Sequence, residues 1–142
     1  MSSIVKITGA ASLALHAMSY LAVHADQGMT STREVAEAFK CSEDHLKKVV
    51  QRLVRAGVIK TVRGPRGGIA LARPPAKITL LEIFEAMEGP LNDNNCILGN
   101  PVCQYKECIL GGLTESLNKQ ARAYLSKTKL SQLAKRIAGT DG

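Results

Sequence analysis

The sequence predicts a mainly α-helical protein with one short β-hairpin, and three observations lead to this fold class. After Ser42, apolar residues recur with the spacing of one helical face: Leu46, Val49, Val50, Leu53 and Val54. Two short β-prone runs, residues 58–63 and 69–72, flank a glycine-rich stretch, as in a hairpin. Near the C-terminus, apolar residues step by three or four positions, close to a heptad: Leu110, Leu113, Leu117, Ala121 and Tyr124.

Two helices are expected ahead of Ser42. Residues from about 8 to 25 form the first, because their apolar positions, among them Ala14, Met18 and Leu21, follow helical spacing. Ala11 is expected off this main apolar stripe. Ser31 and Glu34 form a capping box that predicts a second, short helix. Cys41 occupies the turn into the third helix, where we expect it to pack in the core as a small hydrophobe.

The third helix begins and ends with clear signals. Ser42 is a natural N-cap, because its hydroxyl can accept a hydrogen bond from an amide of the first turn. Gly57 ends the helix. The basic and amide side chains fall outside the apolar set, on the solvent side: Lys47, Lys48, Gln51, Arg52 and Arg55.

A helix-turn-helix followed by a basic hairpin is a winged helix-turn-helix. Its third helix can enter a DNA major groove while the hairpin, the wing, touches the backbone or the minor groove. The expected DNA-binding residues are Ser42, His45, Lys47, Lys48, Gln51, Arg52, Arg63, Gly64, Arg66 and Gly67.

The distribution of charge agrees with a polyanionic partner. Residues 40–73 hold nine Lys or Arg and two acids, a net charge of +7, which equals the formal net charge of the whole chain. The excess is therefore concentrated in one motif, as expected for double-stranded DNA binding. The alternative interpretation, without a binding role, is a solvated helix face beside a basic loop.

Composition disfavours other classes. Aromatic residues make up only 4% of the chain and Trp is absent, which argues against modules that stack single-stranded bases. An enzyme is not expected, because no nucleophile–base pairing is visible and residues 64–68 lack the Lys-Ser/Thr ending of a phosphate loop. His16 and Ser19 interrupt the apolar N-terminal run, which argues against a cleaved signal peptide. No apolar run approaches the ~20 residues of a membrane span. A cytoplasmic location is expected.

The C-terminal half continues with helices. Pro74 and Pro75 break the chain, and Thr79 with Glu82 forms a second capping box for a short helix that ends at Gly89. From about residue 104 to 126 we expect a long helix, whose apolar seam (Leu110, Leu113, Leu117, Ala121 and Tyr124) pairs with a second copy or packs on its own core. A short helix over residues 130–138 follows. The predicted organisation is a DNA-binding domain over 1–90, a cysteine loop over 91–109, and the dimerisation and C-terminal helices over 104–142.

Three cysteines cluster between the two halves. Cys96, Cys103 and Cys108 lie within thirteen residues, with gaps of six and four residues between them. Zinc sites favour four ligands and Cys-x-x-Cys pairs, so an iron–sulfur cluster fits this spacing better. Zinc, redox-active thiols and coincidence remain alternatives. Cys41 stands apart from this group.

Several motifs together resemble the Rrf-two family of bacterial winged-helix regulators, over essentially the whole chain. They include the run Ala14-Leu-His-Ala-Met-Ser-Tyr-Leu-Ala22, Val35-Ala-Glu37, the start of the third helix, and the wing motif Arg63-Gly-Pro-Arg-Gly-Gly68. With the three cysteines, they are most similar to the iron–sulfur members, the NsrR-like nitric-oxide sensors and the IscR-like regulators of cluster biogenesis.

The resemblance implies a homodimer that binds palindromic operators and holds one cluster per subunit, [4Fe–4S] in preference to [2Fe–2S]. Cys96, Cys103 and Cys108 would be the ligands. Family members take a fourth ligand either from the partner's first helix, where Ser12 stands here, or shortly after the third cysteine, where Gly111 stands. The candidates are thus Ser12 and, one turn on, His16, with water, a small thiol or no protein ligand as alternatives.

These patterns lead to one expected function and one alternative. We expect a dimeric repressor whose operator affinity is switched by a cluster that senses nitric oxide, redox state or iron–sulfur status. The alternative is a cluster-free regulator in which the cysteines form a disulfide or bind zinc.

Overall fold

The computed structural model describes residues 7–91 and 106–140. Six helices and one two-stranded sheet make up these residues. In chain order they are α1 (Gly9–Val23), α2 (Thr32–Ala38), α3 (Glu43–Arg55), β1 (Ile59–Val62), β2 (Gly68–Leu71), α4 (Leu80–Glu88), α5 (Leu113–Lys127) and α6 (Leu130–Thr140). Single 3-10 turns at Ala25–Gln27 and Pro75–Lys77 separate α1 from α2 and β2 from α4.

Side-chain caps begin the first four helices where the sequence supplies a hydroxyl. Ser42 Oγ accepts from the amide of His45 at 3.1 Å, which fixes the start of α3. Thr79 and Glu82 form both arms of a capping box at α4. At α2 the Ser31 hydroxyl accepts from the Glu34 amide, while the Glu34 carboxylate accepts instead from the hydroxyl of Tyr20.

The wing is an antiparallel hairpin attached to the helical unit. Its register pairs Ile59 with Leu71 and Val62 with Gly68. An isolated bridge joins Ile69 to Thr30, with the Ile69 amide 2.7 Å from the Thr30 carbonyl oxygen. A Cβ atom on Gly68 would lie 2.4 Å from that same oxygen, so only glycine permits this contact. The base of the wing is therefore fixed by the segment between α1 and α2.

One hydrophobic core joins the two ends of the chain. Helix α1 buries three alanines and Met18, and these small side chains allow α4 and α6 to approach it closely. The largest fully buried side chains come from α1, α3, both strands, the segment before α4, α4 itself and α6: Met18, Leu46, Leu53, Ile59, Ile69, Ile78, Ile83 and Leu130. Cys41 is half-buried and packs against this core, as the sequence predicted.

Helix α4 is joined at its start to the junction between α5 and α6. The Leu80 amide donates to the Thr128 carbonyl at 3.1 Å, and the Leu130 amide donates to the Ile78 carbonyl at 2.8 Å. Because Leu130 is also completely buried, these two hydrogen bonds and the core together fix the start of α6 beside α4. Among the described residues, no helix has both the length and the apolar content needed to cross a membrane.

Three details differ from the sequence prediction. Helix α5 begins at Leu113 and not near residue 104, because Gly111 adopts a left-handed conformation (φ 61°) that ends the turns of residues 106–112. Leu110, predicted within the helical seam, therefore precedes the helix. Val54, predicted on the buried face of α3, is 37% exposed. Ala11, placed off the apolar stripe of α1, is fully buried.

Candidate nucleic-acid interface and cysteine segment

Helix α3 separates its two faces as a recognition helix requires. Its inner face is buried: Leu46, Val49, Val50 and Leu53. On the outer side, all the predicted contacts are exposed: Ser42, His45, Lys47, Lys48, Gln51 and Arg52. At the tip of the wing, Arg63, Gly64 and Arg66 are exposed and Gly67 is half-buried. We refer to these ten residues together as the DNA-binding face.

The charges of the DNA-binding face are weakly neutralised. The Lys47 ammonium lies 3.7 Å from the Glu43 carboxylate, with both side chains about half exposed, so this pair can exchange for a phosphate contact. Glu43 also accepts from the Thr32 hydroxyl at 3.1 Å, which links α3 to α2. Within the described parts of the chain, Lys48, Arg63 and Arg66 have no ion-pair partner.

The tip of the wing has a fixed path. The Gly67 amide donates to the Gly64 carbonyl at 2.9 Å, which closes a tight turn that follows Arg63 and contains Arg66. A Cβ atom on Gly67 would lie 2.0 Å from the Val62 carbonyl oxygen, so a side chain there cannot be accommodated. Val62, next to Arg63, is a 51% exposed apolar side chain on the same hairpin.

Arg52 differs from the other residues of the DNA-binding face. One of its guanidinium nitrogens donates to the backbone carbonyl of Met87 at 3.1 Å. Met87 belongs to the last turn of α4, where carbonyl oxygens lack helical partners, so the arginine caps that helix. The sequence contained no local signal for this contact, because the two residues are 35 positions apart.

Of the three clustered cysteines, only Cys108 lies within the described residues. Its thiol is exposed and not in a disulfide, and its carbonyl accepts from the Gly111 amide at 2.9 Å, in the turns ahead of α5. The predicted ligands Cys96 and Cys103, with residues 92–105 of the predicted cysteine loop over 91–109, lie outside the described residues. In the described ranges, no three His, Cys, Asp or Glu side chains are grouped so as to hold a metal.

The two candidates for a fourth ligand are adjacent on α1. His16 is exposed, and its Nδ1 lies 2.6 Å from the carbonyl oxygen of Ser12. Because a carbonyl oxygen only accepts, Nδ1 carries the proton and Nε2 keeps its lone pair in the neutral ring. The imidazole also meets the Phe39 ring edge-on, with centroids 5.5 Å apart, which restricts its rotation. Ser12 is half-buried.

The predicted dimerisation residues lie on a helix that its own chain covers poorly. No residue of α5 is fully buried, and Leu113 and Tyr124 are 41% and 52% exposed. Leu117 and Ala121 are half-buried, as is Leu110 ahead of the helix. The Tyr124 hydroxyl accepts from Arg136 at 3.1 Å, and this guanidinium lowers the pKa of Tyr124.

A largely apolar groove runs between α1, α5 and α6. It encloses about 440 Å³ and is lined mainly by apolar side chains, with Ala121 and Tyr124 of α5 on one wall. Ile7, 53% exposed, stands at its edge together with His16 of α1. The seam of α5 therefore continues into an uncovered surface that includes the first helix.

Comparison with known proteins identifies the family. The family profile "Rrf2: Iron-dependent Transcriptional regulator" matches residues 7–136. The chain belongs to the Rrf2 family. The HTH-type transcriptional regulator NsrR of Bacillus licheniformis is 31% identical over 123 residues, which cover 84% of this chain and 83% of that protein.

Two solved structures confirm the fold. CymR, the global cysteine regulator of B. subtilis, is 28% identical with a TM-score of 0.80, covering 94% of this chain and 98% of that one. IscR of T. potens is 25% identical with a TM-score of 0.80, covering 98% of this chain and 93% of that one. The predicted mainly helical, winged helix-turn-helix architecture is thus confirmed.

The Rrf2 membership also fixes the class of function. The matched relatives are transcriptional regulators, a non-enzymatic role, and this chain is an Rrf2-family transcriptional regulator. The predictions of family and of a non-enzymatic DNA-binding protein are therefore confirmed. The relatives include NsrR and IscR on one side and CymR on the other.

Proposed function

We propose that this Rrf2 protein is a homodimeric repressor whose affinity for a palindromic operator is switched by an iron–sulfur cluster. The observation that carries the proposal is the DNA-binding face, which lies within residues 40–73, a segment whose net charge of +7 equals that of the whole chain. Likeness to NsrR and IscR supports the cluster. A cytoplasmic location, which keeps thiols reduced, is part of this proposal.

Cys96, Cys103 and Cys108 are the proposed thiolate ligands, and Cys41 is not one. The Cys108 thiol fits this role because it is exposed and not in a disulfide. Cys41 instead packs against the core beside the start of α3. A bound cluster, of four irons in preference to two, supplies a centre that nitric oxide or oxidants can attack.

The fourth ligand is proposed to come from α1 of the second copy, from either Ser12 or His16. His16 is the better suited of the two, because its Nδ1–H group donates to the Ser12 carbonyl and leaves the Nε2 lone pair available to bind iron. The Ser12 hydroxyl lies 3.5 Å from the same Nδ1 and competes weakly for that proton. Replacing each residue by alanine and measuring iron retention distinguishes the two.

The chain then links sensing to DNA through its dimer. Residues of the α5 seam would pair two copies and set the distance between two recognition helices, as half-sites one helical turn apart require. Release of the cysteine ligands would let that distance change. A coupling of about 1–3 kcal/mol in operator affinity is typical of such linkage.

Anaerobic purification followed by a visible spectrum tests the proposal directly. A brown protein with broad absorption, and iron and sulfide bound in proportion, is the expected result. Alanine replacements of Cys96, Cys103 and Cys108 should each lose iron and change operator affinity, whereas Cys41→Ala should behave like the wild type. If Cys41→Ala also lost iron, or if the three variants bound operator like the loaded protein, the cluster switch would be wrong.

A cluster-free switch is the second candidate. It is favoured by the likeness to CymR, the global cysteine regulator of B. subtilis, and by the exposed, free thiol of Cys108. In that case the same cysteines would form a disulfide or bind zinc. A colourless protein that contains stoichiometric zinc, or one that gains a disulfide on mild oxidation as seen by mass spectrometry, supports this candidate.

A further inference from the structure

The last turn of α4 contacts three separate parts of the chain. The Thr8 hydroxyl, which also caps α1, donates to the Glu88 carboxylate. The guanidinium of Arg52 on α3 donates to the Met87 carbonyl at 3.1 Å. The Glu85 carboxylate accepts from the amide of Leu91 at 2.8 Å. We call Glu85–Glu88 with these three contacts the α4 junction.

The α4 junction is a single helical turn fixed in the core. The Met87 side chain is only 7% exposed and belongs to the hydrophobic core. The Gly89 amide donates to the Glu85 carbonyl at 2.8 Å, which ends the helix and directs the chain outward. Since one helical turn carries all three contacts, we expect a displacement of any one of them to be transmitted to the others.

The position of the junction makes this rigidity significant. Leu91 is the last described residue before residues 92–105, which include Cys96 and Cys103. Thr8 fixes the start of α1, the helix that carries His16. Arg52 projects from the recognition helix, which otherwise meets α4 through apolar packing. The start of α4, in turn, is bonded to the junction of α5 and α6.

We propose that the α4 junction couples the chain beyond Leu91 to the recognition helix, and that Arg52 is the positioning residue that carries the coupling. Arg52 thus orients α3 through the Met87 carbonyl and is not a phosphate contact. A guanidinium suits this position, because the C-terminal carbonyls of a helix carry partial negative charge and accept several donors. The identity of the signal rests on the proposed function, whereas the role of Arg52 does not.

Salt dependence separates positioning from contact. In the full-length protein, Arg52→Met keeps the apolar stem and removes the donors, and it should lower operator affinity about tenfold. The slope of log K against log salt should stay at its wild-type value. Lys47→Met is the matched control, because the loss of a phosphate contact reduces that slope by about one. A similar reduction in Arg52→Met would overturn the proposal.

Hydrogen exchange of the DNA-free protein tests the coupling itself. The protein is compared after anaerobic loading with iron and sulfide and after chelation. In the wild type, amides of residues 85–91 and of α3 should exchange differently in the two states. In Arg52→Met, the difference should persist at residues 85–91 and disappear in α3, while Arg55→Met, which removes the same charge from the same helix, should resemble the wild type.

The outcomes distinguish this inference from the proposed function. If α3 still responded in Arg52→Met as in the wild type, the coupling would not run through Arg52 and the inference would be wrong. If the wild type showed no difference between loaded and chelated states, the cluster switch would be wrong. In that case the salt slope of Arg52→Met still decides whether Arg52 positions α3 or contacts DNA.

Discussion

Helices α3 and α5 are similar in length and both amphipathic, yet they differ in what covers their apolar sides. Helix α3, of 13 residues, buries Leu46, Val49, Val50 and Leu53 in the core of its own chain. Helix α5, of 15 residues, has no fully buried residue. Its Leu113 and Tyr124 are instead substantially exposed.

The difference separates a helix that this chain stabilises by its own packing from one whose apolar side is left for a partner. A helix with several buried apolar residues is stabilised by tertiary packing, whereas an isolated helix of this length is marginal in water. The apolar side of α5 and the adjoining groove are therefore the surface on which a partner would have the largest effect. For α3, the covered face fixes the helix and leaves its polar face for DNA.

Leu117→Asp should produce the largest effect of any single change in α5. If two copies pair through α5, the buried carboxylate prevents pairing and operator affinity falls by about 10²–10⁴-fold, because the two half-sites are no longer bound together. Sedimentation velocity and fluorescence anisotropy with operator DNA measure both quantities. Gln120→Asp adds the same charge at an exposed position and serves as control. A Leu117→Asp protein that stays dimeric would place the interface elsewhere.

Leu53→Ala in α3 and Leu113→Ala in α5 compare the two helices by the loss in free energy of unfolding. Leu53 is fully buried, so its truncation should lower the free energy of unfolding by about 2–5 kcal/mol, independent of protein concentration. If two copies pair through α5, Leu113→Ala should instead cost an amount that falls as the dimer is diluted, since a partner would cover the exposed part of that side chain. Urea denaturation at two protein concentrations checks this. Equal, concentration-independent losses would contradict the contrast.

Arg66→Ala tests the exposed side of the DNA-binding unit. Operator affinity should fall by about 1–3 kcal/mol if the guanidinium contacts a base edge, with relaxed preference at that base. Affinity for unrelated DNA should fall less. Anisotropy titrations with the operator and with single-base variants measure the difference, and Arg33→Ala, an exposed arginine paired with Glu37 on α2, provides the control. Uniform weakening on all sequences would make Arg66 a phosphate contact.

Helix starts offer the smallest and most local comparison. Helix α3 begins with a hydroxyl cap from Ser42, whereas Gly112 at the start of α5 provides no side-chain hydrogen bond. Ser42→Ala should destabilise the protein by about 1 kcal/mol. Gly112→Ser should stabilise it by a few tenths of a kcal/mol, because no atom lies within 4 Å of an added Cβ. Thermal unfolding measures both; a gain from Ser42→Ala would contradict the capping role.

Local signals in the sequence predicted most of the fold. The caps at Ser31, Ser42 and Thr79 act on amides three residues away, so the sequence contains both partners in one short window. The two glycine-flanked strands likewise form a hairpin whose register is set by its turn. The exposed DNA-binding face followed from the same periodicity that buried the opposite side of α3.

The contacts that sequence reasoning missed are those between distant residues. Arg52 was predicted only as a DNA contact, although its guanidinium reaches Met87, which is 35 positions away. The Thr30–Ile69 bridge also depends on where α1, α2 and the wing meet. The start of α5 was placed too early because apolar spacing continued through Leu110, while the left-handed backbone of Gly111 interrupts the helix.

The attachment of the wing has a consequence for engineering. Its base is fixed by the Thr30–Ile69 bridge, and Gly67 and Gly68 cannot carry side chains without meeting backbone oxygens. Between Val62 and Gly67, by contrast, Arg63, Pro65 and Arg66 are exposed and contribute nothing to the buried core. The tip is therefore an exchangeable cassette. Libraries restricted to these three positions can search for new operator preferences while the stability of the scaffold is preserved.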